Sequence, residues 1–393
     1  MGGRWHGWLT RDVMLISLSA FFADLGYQTV IGLFPVTVTF LYRQPAYVFG
    51  LLMALSYGAG SLFSYLGGRL GDRFSRKKLA IAGNLLIPLL SFSGTAGNIA
   101  ESSALYLGGW WSRNFRSPPR RALLLDVSGT DHRSRVFGFL HMLDVGGGMV
   151  STLIAFALLY SGFTVSVIML LTVFPILVSS AVLFPVRERK GDPGTAASKE
   201  ERNDITGNEG SMKLFLISAG LFGFSYYSLG FPIITVARAQ NSYAFGLLTY
   251  TVFLGVSGLA GYLMGSSSLK PARGLWVFGY ALSALGSLMI GMTYLFHLGL
   301  ASFYISAAVL GTGTGSIETF EPVVASLLVH PSRISRGMGS LGAWRSIGLF
   351  ASNLLMGVLF TFSVFDSYVY AFATSMLAAL LMAYVQMRTP SLG

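Results

Sequence analysis

The chain has 393 residues, of which 53% are hydrophobic and only 11% charged, with a mean hydropathy of +0.63. A soluble domain of this length would need roughly a quarter of its residues charged to cover its surface, so the composition excludes a soluble protein and points to the membrane. The net charge of +11 does not indicate nucleic acid, because the basic residues sit in short loops between apolar runs. The absence of cysteine excludes disulfides and thiolate metal sites.

In chain order, residues 1–11 read as an interfacial segment, with Trp5 and Trp8 at headgroup level. The apolar run that follows is too long for a cleaved leader and lacks a small-residue cleavage pattern. A bilayer-crossing helix takes about 20 apolar residues. That length places spans at 12–41, 46–67, 78–97, 102–125, 135–160 and 163–185, then at 213–237, 243–265, 273–293, 297–329, 336–361 and 367–388. The expected fold is an all-α membrane protein of twelve transmembrane helices in two pseudo-symmetric six-helix bundles. The bundles cover 1–186 and 213–393, joined by a polar cytoplasmic linker at 187–212 that contains Gly-Asp-Pro-Gly. Arginine and lysine crowd the terminus side, with Arg120 and Arg121 at the end of span 4 among them, against Arg43 and Arg238 in the opposite loops. This bias puts both termini in the cytoplasm of a cell-membrane protein.

The halves repeat. Ala46-Tyr-Val-Phe-Gly50-Leu-Leu at span 2 is matched by Ser242-Tyr-Ala-Phe-Gly246-Leu-Leu at span 8, and Phe34-Pro35 by Phe231-Pro232. Arg135-Val-Phe-Gly138 is matched by Arg336-Gly-Met-Gly339. A parallel repeat of this kind implies a solute site where the halves meet and alternating access by rocking.

Between spans 2 and 3 the sequence runs Gly68-Arg-Leu-Gly-Asp72-Arg73-Phe-Ser75-Arg76-Lys77-Lys78. It resembles the Gly-x-x-x-Asp-Arg-x-Gly-Arg-Arg signature of the major facilitator superfamily, with Ser75 in place of the second glycine. With twelve spans and a long central loop, the resemblance covers the whole chain and implies the fold of that superfamily; it says almost nothing about cargo. Read as chemistry, Asp72 could gain from a helix N-terminus, and Arg73 and Arg76 could pair with Asp126 at the end of span 4. Such contacts would form in one conformer and so act as a latch. Gly68, Asp72, Arg73, Arg76 and Asp126 are its expected members. Ala23-Asp24-Leu-Gly-Tyr27 in span 1, and Phe137-Gly138 followed by His141 and Asp144 in span 5, resemble a prokaryotic subgroup of the superfamily. Gln28 stands where its members often carry an acid, and His141 falls one position later than their histidine.

Ionisable residues inside spans are costly and usually functional. Here they are Asp24, Arg113, Arg116, His141 and Asp144 in the first half, and Glu318, Glu321 and Arg345 in the second. The repeat inverts them: Arg113-x-x-Arg116 aligns with Glu318-x-x-Glu321, and Asp144 with Arg345. Matching depths along adjacent helices pair Arg113 and Arg116 with Asp144, and Glu318 and Glu321 with Arg345. Such pairs either lock helices together or take part in coupling. Asp24 has no counterpart in span 7 and no evident partner, which suits an acid that takes up and releases a proton or one that contacts the solute. Tyr27, Tyr226 and Tyr227 could stack on cargo or bridge polar groups, although ordinary helix packing also accounts for them.

These features describe a secondary transporter of a small polar or charged solute, working by alternating access and coupled to protons, with efflux favoured over uptake. A uniporter or carrier of lipid-like cargo with structural charge pairs, or a non-transporting receptor, would share many of them. No cofactor, metal site, catalytic triad or phosphate loop is evident, and no nucleic acid partner; an enzyme is not expected. The expected partners are the solute, the coupling proton and membrane lipid, with the chain a monomer.

Overall fold

The computed structural model describes residues 9–71, 73–128, 133–188, 209–328 and 334–389. They are almost entirely helical: α1 Arg11–Leu41, α2 Ala46–Gly71, α3 Arg76–Thr95, α4 Ile99–Val127, α5 Arg133–Tyr160 and α6 Val165–Leu183. The second run is α7a Glu209–Ser225 with α7b Gly230–Gln240, α8 Tyr243–Gly265, α9 Pro271–Leu295, α10 Leu300–Leu328, α11 Ile334–Phe362 and α12 Val364–Arg388. The ends fall within about four residues of those expected from bilayer length.

Polar side chains close the helix starts. Thr10, Ser75, Asn98, Thr164, Ser242 and Ser363 each accept a hydrogen bond from a backbone N–H in the first turn. Asn98 and Glu101 cap α4 together, because Glu101 also accepts from Gly97 N at 2.9 Å. Among the described residues, eleven helical segments are long and apolar enough to cross a membrane. α4 is 29 residues long but carries Glu101, Arg113, Arg116, Arg120, Arg121 and Asp126, and so fails on apolarity alone. Large apolar side chains such as Leu62, Tyr65, Phe174, Leu259 and Phe362 stand exposed, as befits helices solvated by hydrocarbon.

The contacts group into two units, 1–43 with 59–197 and 44–58 with 198–393. In the first, α1 packs on α5 and α6, and α3 on α4. Its core includes Val13, Ile16, Ala20, Ala80, Leu123, Leu124, Leu140 and Leu183. Pro118 and Pro119 lie inside α4 without ending it. The missing N–H of Pro119 leaves the Phe115 carbonyl without its usual helical donor, and Gly67 of α2 lies against that oxygen. A Cβ at Gly67 would fall 1.9 Å from it, so only glycine fits there.

In the second unit α8 packs on α10, α9 on α10 and α12, and α7a on α11 and α12. Phe215, Phe222, Leu275, Tyr280, Phe320 and Met382 are among its core residues. α7a and α11 touch backbone to backbone at Gly223 and Gly348. Where a single helix was expected over 213–237, the backbone leaves the helix at Tyr226, Tyr227 and Ser228. The break is held from α11, where Asn353 Oδ1 accepts from Ser228 N at 2.9 Å. Pro232 then sits in the first turn of α7b, where its absent N–H costs nothing.

Candidate functional site: two buried charge clusters

The first unit buries a polar cluster around α1 and α4. Asp24, Tyr27 and Gln28 share one face of α1 by their spacing. Tyr27 Oη donates to Asp24 Oδ1 at 2.5 Å and Gln28 Nε2 to the same oxygen at 3.2 Å. The other carboxyl oxygen, Asp24 Oδ2, is buried without a hydrogen-bond partner. Among the described residues no cation lies within 4.0 Å of this acid. Arg113 Nη2 donates to Tyr27 Oη at 3.3 Å, so Tyr27 bridges the arginine and the acid. The Arg113 guanidinium also lies 5.1 Å from the ring centroids of both Tyr27 and Trp110.

Arg116 is 1% exposed and does not reach Asp144. Its Nη1 donates to Asn84 Oδ1 of α3 at 2.6 Å. Asn84 is fixed in turn through Ser179 Oγ at 3.0 Å, and Ser179 donates to Ser19 O at 2.6 Å, which ties α1, α3, α4 and α6 into one polar chain. The cation facing Asp144 is Arg120, at 3.5 Å. This corrects the expected Arg113/Arg116–Asp144 pairing, and it adds to the buried charges Arg120, which lies inside the expected span 102–125 but counts with the basic residues of the terminus side. α4 continues helical through Val127, and Arg120 is buried within it. Three arginines therefore meet two acids in this cluster. His141 of α5 is exposed and forms no hydrogen bond among the described residues.

In the second unit Arg345 of α11 meets both acids of α10. Its Nη2 lies 2.7 Å from Glu318 Oε1 and its Nη1 3.1 Å from Glu321 Oε2. Tyr280 Oη of α9 donates to Glu321 Oε1 at 2.7 Å. It does so from a stretch of wider, π-helical turns at Gly274–Ala281. The Tyr226 ring at the α7 break lies 5.3 Å from the Arg345 guanidinium. Glu321 is fully buried and the Glu318 side chain is 52% exposed. Tyr227 is not part of this cluster. It packs edge-on against Phe231 and Tyr368, with its hydroxyl 3.0 Å from Ser287 Oγ, as a core residue would.

Of the expected latch, Arg76 and Asp126 meet at 2.6 Å. Arg73, in the turn before α3, is exposed and forms no ion pair among the described residues. Asp72 lies outside the described residues. Gly68 has no near neighbour, only Pro118 Cβ 3.6 Å from a Cβ built there. Ser75 does what the glycine of the signature cannot: it accepts from Lys78 N at 3.1 Å and donates to Glu188. Glu188, beyond α6, also accepts from Arg76 N at 2.7 Å.

Sequence reasoning missed Arg120, Asn84, Tyr280 and Asn353. Arg120 continues the Arg113, Arg116 face one turn further on, a spacing that could have revealed it. Asn84 is a lone amide in an apolar span, a weaker signal. Tyr280 and Asn353 had none, since their roles depend on partners far away in sequence.

Eleven helical segments among the described residues that are long and apolar enough to cross a membrane, with ionisable groups buried among them, define a multi-pass membrane protein. The sequence matches the Major Facilitator Superfamily over residues 16–293, and the chain belongs to that family. No curated protein gives a match. Among solved structures it is similar to a D-xylose-proton symporter, with 14% identity, TM-score 0.76 and coverage of 96% of this chain and 97% of that one. It is also similar to the nucleoside transporter NupG, at 10% identity and TM-score 0.73 over 97% and 99%. A bacterial homolog of the human lysosomal transporter Spinster gives 12% identity and TM-score 0.67 over 97% and 96%. At these identities the likeness is one of fold.

Proposed function

We propose that the chain is a secondary active transporter that moves a small polar or charged solute by alternating access and couples it to protons through Asp24. One observation carries this reading. Asp24 is 3% exposed and no cation lies within 4.0 Å of it among the described residues. One of its oxygens is left without a hydrogen bond. A buried carboxyl held by neutral groups can exist protonated at modest cost, and ionising it changes the stability of the conformer that buries it. Tyr27 links the acid to Arg113, so proton occupancy at Asp24 is felt at the arginine. The Glu318–Arg345–Glu321 triad, in which two acids and a tyrosine hold one arginine and its partners, is assigned a structural role.

In this reading α4 is the twelfth span, with Arg116 and Arg120 buried within the unit. Both termini are cytoplasmic, the chain is a monomer in the cell membrane, and export is the favoured direction. The test uses proteoliposomes loaded with a pH-sensitive dye and challenged with a broad solute panel. The expected result is solute-driven proton movement in the wild type and none in Asp24→Asn. Solute movement whose sensitivity to a pH gradient is unchanged in Asp24→Asn would remove Asp24 as the coupling acid.

A further inference from the structure

Arg113, Arg116 and Arg120 occupy one face of α4 at intervals of three and four residues. A guanidinium in a protein is always charged, so each needs an anion or water when buried. Arg120 has Asp144, at 3.5 Å, while its Nε and Nη1 have no hydrogen-bond partner. Arg116, deeper still, has among the described residues one hydrogen bond, to the neutral amide oxygen of Asn84, and lies 6.0 Å from the Tyr27 ring centroid; its Nε is also without a hydrogen-bond partner. Arg113 is half-buried, donates only to a tyrosine hydroxyl, and its Nε is likewise without a partner.

The elements packed around this face do not supply the missing charge. α1 brings Asp24, whose Oδ1 is taken by Tyr27 and Gln28; α3 brings Asn84 and α5 brings Asp144, already facing Arg120. Three fixed cations against two acids leave a positive excess even when both acids are ionised. The excess falls at Arg113 and Arg116, which have no carboxylate within 4.0 Å among the described residues.

We propose that the arginine face of α4 is an anion-binding site, and that the transported solute carries an oxyanion group, a carboxylate or a phosphate. The second half of this statement rests on the transport function proposed above. A guanidinium matches the two oxygens of such a group in a fixed fork. Tyr27 and Trp110 beside Arg113, and Asn84 beside Arg116, hold two of these forks in place before the ligand arrives.

The test is a thermal-shift titration of the purified full chain with four ligands of one shape: benzoate, phenyl phosphate, benzamide and benzylamine. One or both anions should raise the unfolding midpoint saturably, beyond an equal concentration of sodium chloride, while the amide and amine should not. Whichever anion acts identifies the head group. Arg113→Gln and Arg116→Gln should each weaken the response by about ten- to a hundredfold, the worth of a hydrogen bond to a charged group. Arg116→Lys, which keeps the charge, should retain part of it. Arg113 is the half-exposed member, so its variant gives a readout even where Arg116→Gln fails to fold. The inference is overturned by equal stabilisation from benzamide or benzylamine, by absence of any saturable anion response, or by an undiminished response in Arg113→Gln. Solute-driven proton movement without anion preference would sink it and leave the transport reading standing. Saturable anion binding without solute movement would leave the anion site standing and sink the transport reading, and with it the assignment of the anion as cargo.

Discussion

Arg120 of α4 faces Asp144 of α5 at 3.5 Å, one helical turn beyond Arg116, whose one hydrogen bond among the described residues is to the amide of Asn84. The consequence is a specific pattern of coupling. Asp144→Asn and Arg120→Gln should destabilise by less in combination than the sum of the single changes, with a coupling of ~1–3 kcal/mol. Asp144→Asn and Arg116→Gln should add. A double-mutant cycle on unfolding in detergent separates the two, and strong coupling of Asp144 to Arg116 would contradict the geometry.

Asp24→Asn keeps an oxygen that accepts from Tyr27 and Gln28 but removes the group that ionises. Its unfolding midpoint should equal or exceed that of the wild type, because a buried ionisable group is replaced by a neutral one of the same shape. In proteoliposomes it should still exchange solute for solute while losing its response to an imposed pH gradient. A variant that neither folds nor exchanges would indicate a structural acid instead.

Helix ends were legible in the sequence because bilayer thickness fixes length and Thr, Ser and Asn mark the starts. The inverted charges of α10 and α11 could also be read, since spacing alone brings Glu318 and Glu321 to one face. The break in α7 could not. Gly230 and Pro232 mark a weak point, but Pro35 at the matching place in α1 leaves that helix unbroken, and the amide that holds the break, Asn353, lies 125 residues beyond its partner Ser228. Arg120 was hidden by its neighbours. Near the terminus-side end of span 4, after two prolines and next to Arg121, it counts with the basic residues that set topology, yet it is buried within the helix.

Gly67 and Gly68 are adjacent, and the signature motif points to Gly68. The packing points to Gly67, where a Cβ would meet the Phe115 carbonyl at 1.9 Å, against 3.6 Å to Pro118 Cβ for Gly68. Gly67→Ala should destabilise by ~1–3 kcal/mol, as forced overpacking does, or lower the yield of folded protein. Gly68→Ala should fold with a midpoint near that of the wild type. Expression level and detergent thermal stability of the pair check this directly.

Ser75 caps α3 and bonds Glu188, so restoring the glycine of the signature should not help. Ser75→Ala should cost ~0.5–2 kcal/mol and Ser75→Gly only a few tenths of that order in capping, because glycine tolerates the cap backbone. Both lose the hydroxyl to Glu188, whose bond from Arg76 N at 2.7 Å remains. Glu188→Gln should therefore act mildly in the Ser75→Ala background and more strongly in the wild type, measured as a cycle of unfolding midpoints.

The triad around Arg345 allows a ranking of its three members. Removing Arg345 leaves Glu321 fully buried and without its cation, so Arg345→Met should destabilise most, by ~3–5 kcal/mol. Glu321→Ala comes next: it removes the buried acid and strands the Tyr280 hydroxyl that bonds it at 2.7 Å, while Arg345 keeps Glu318 at 2.7 Å. Glu318 is half-exposed, and its loss leaves Arg345 paired with Glu321, so Glu318→Ala should cost only ~0–1 kcal/mol. A structural triad also predicts that Glu318→Arg combined with Arg345→Glu recovers much of the folding lost in Arg345→Glu alone. Recovery of folding with solute movement restored fits the structural assignment. Recovery of folding without any solute movement would instead place these charges in contact with cargo or in the coupling step.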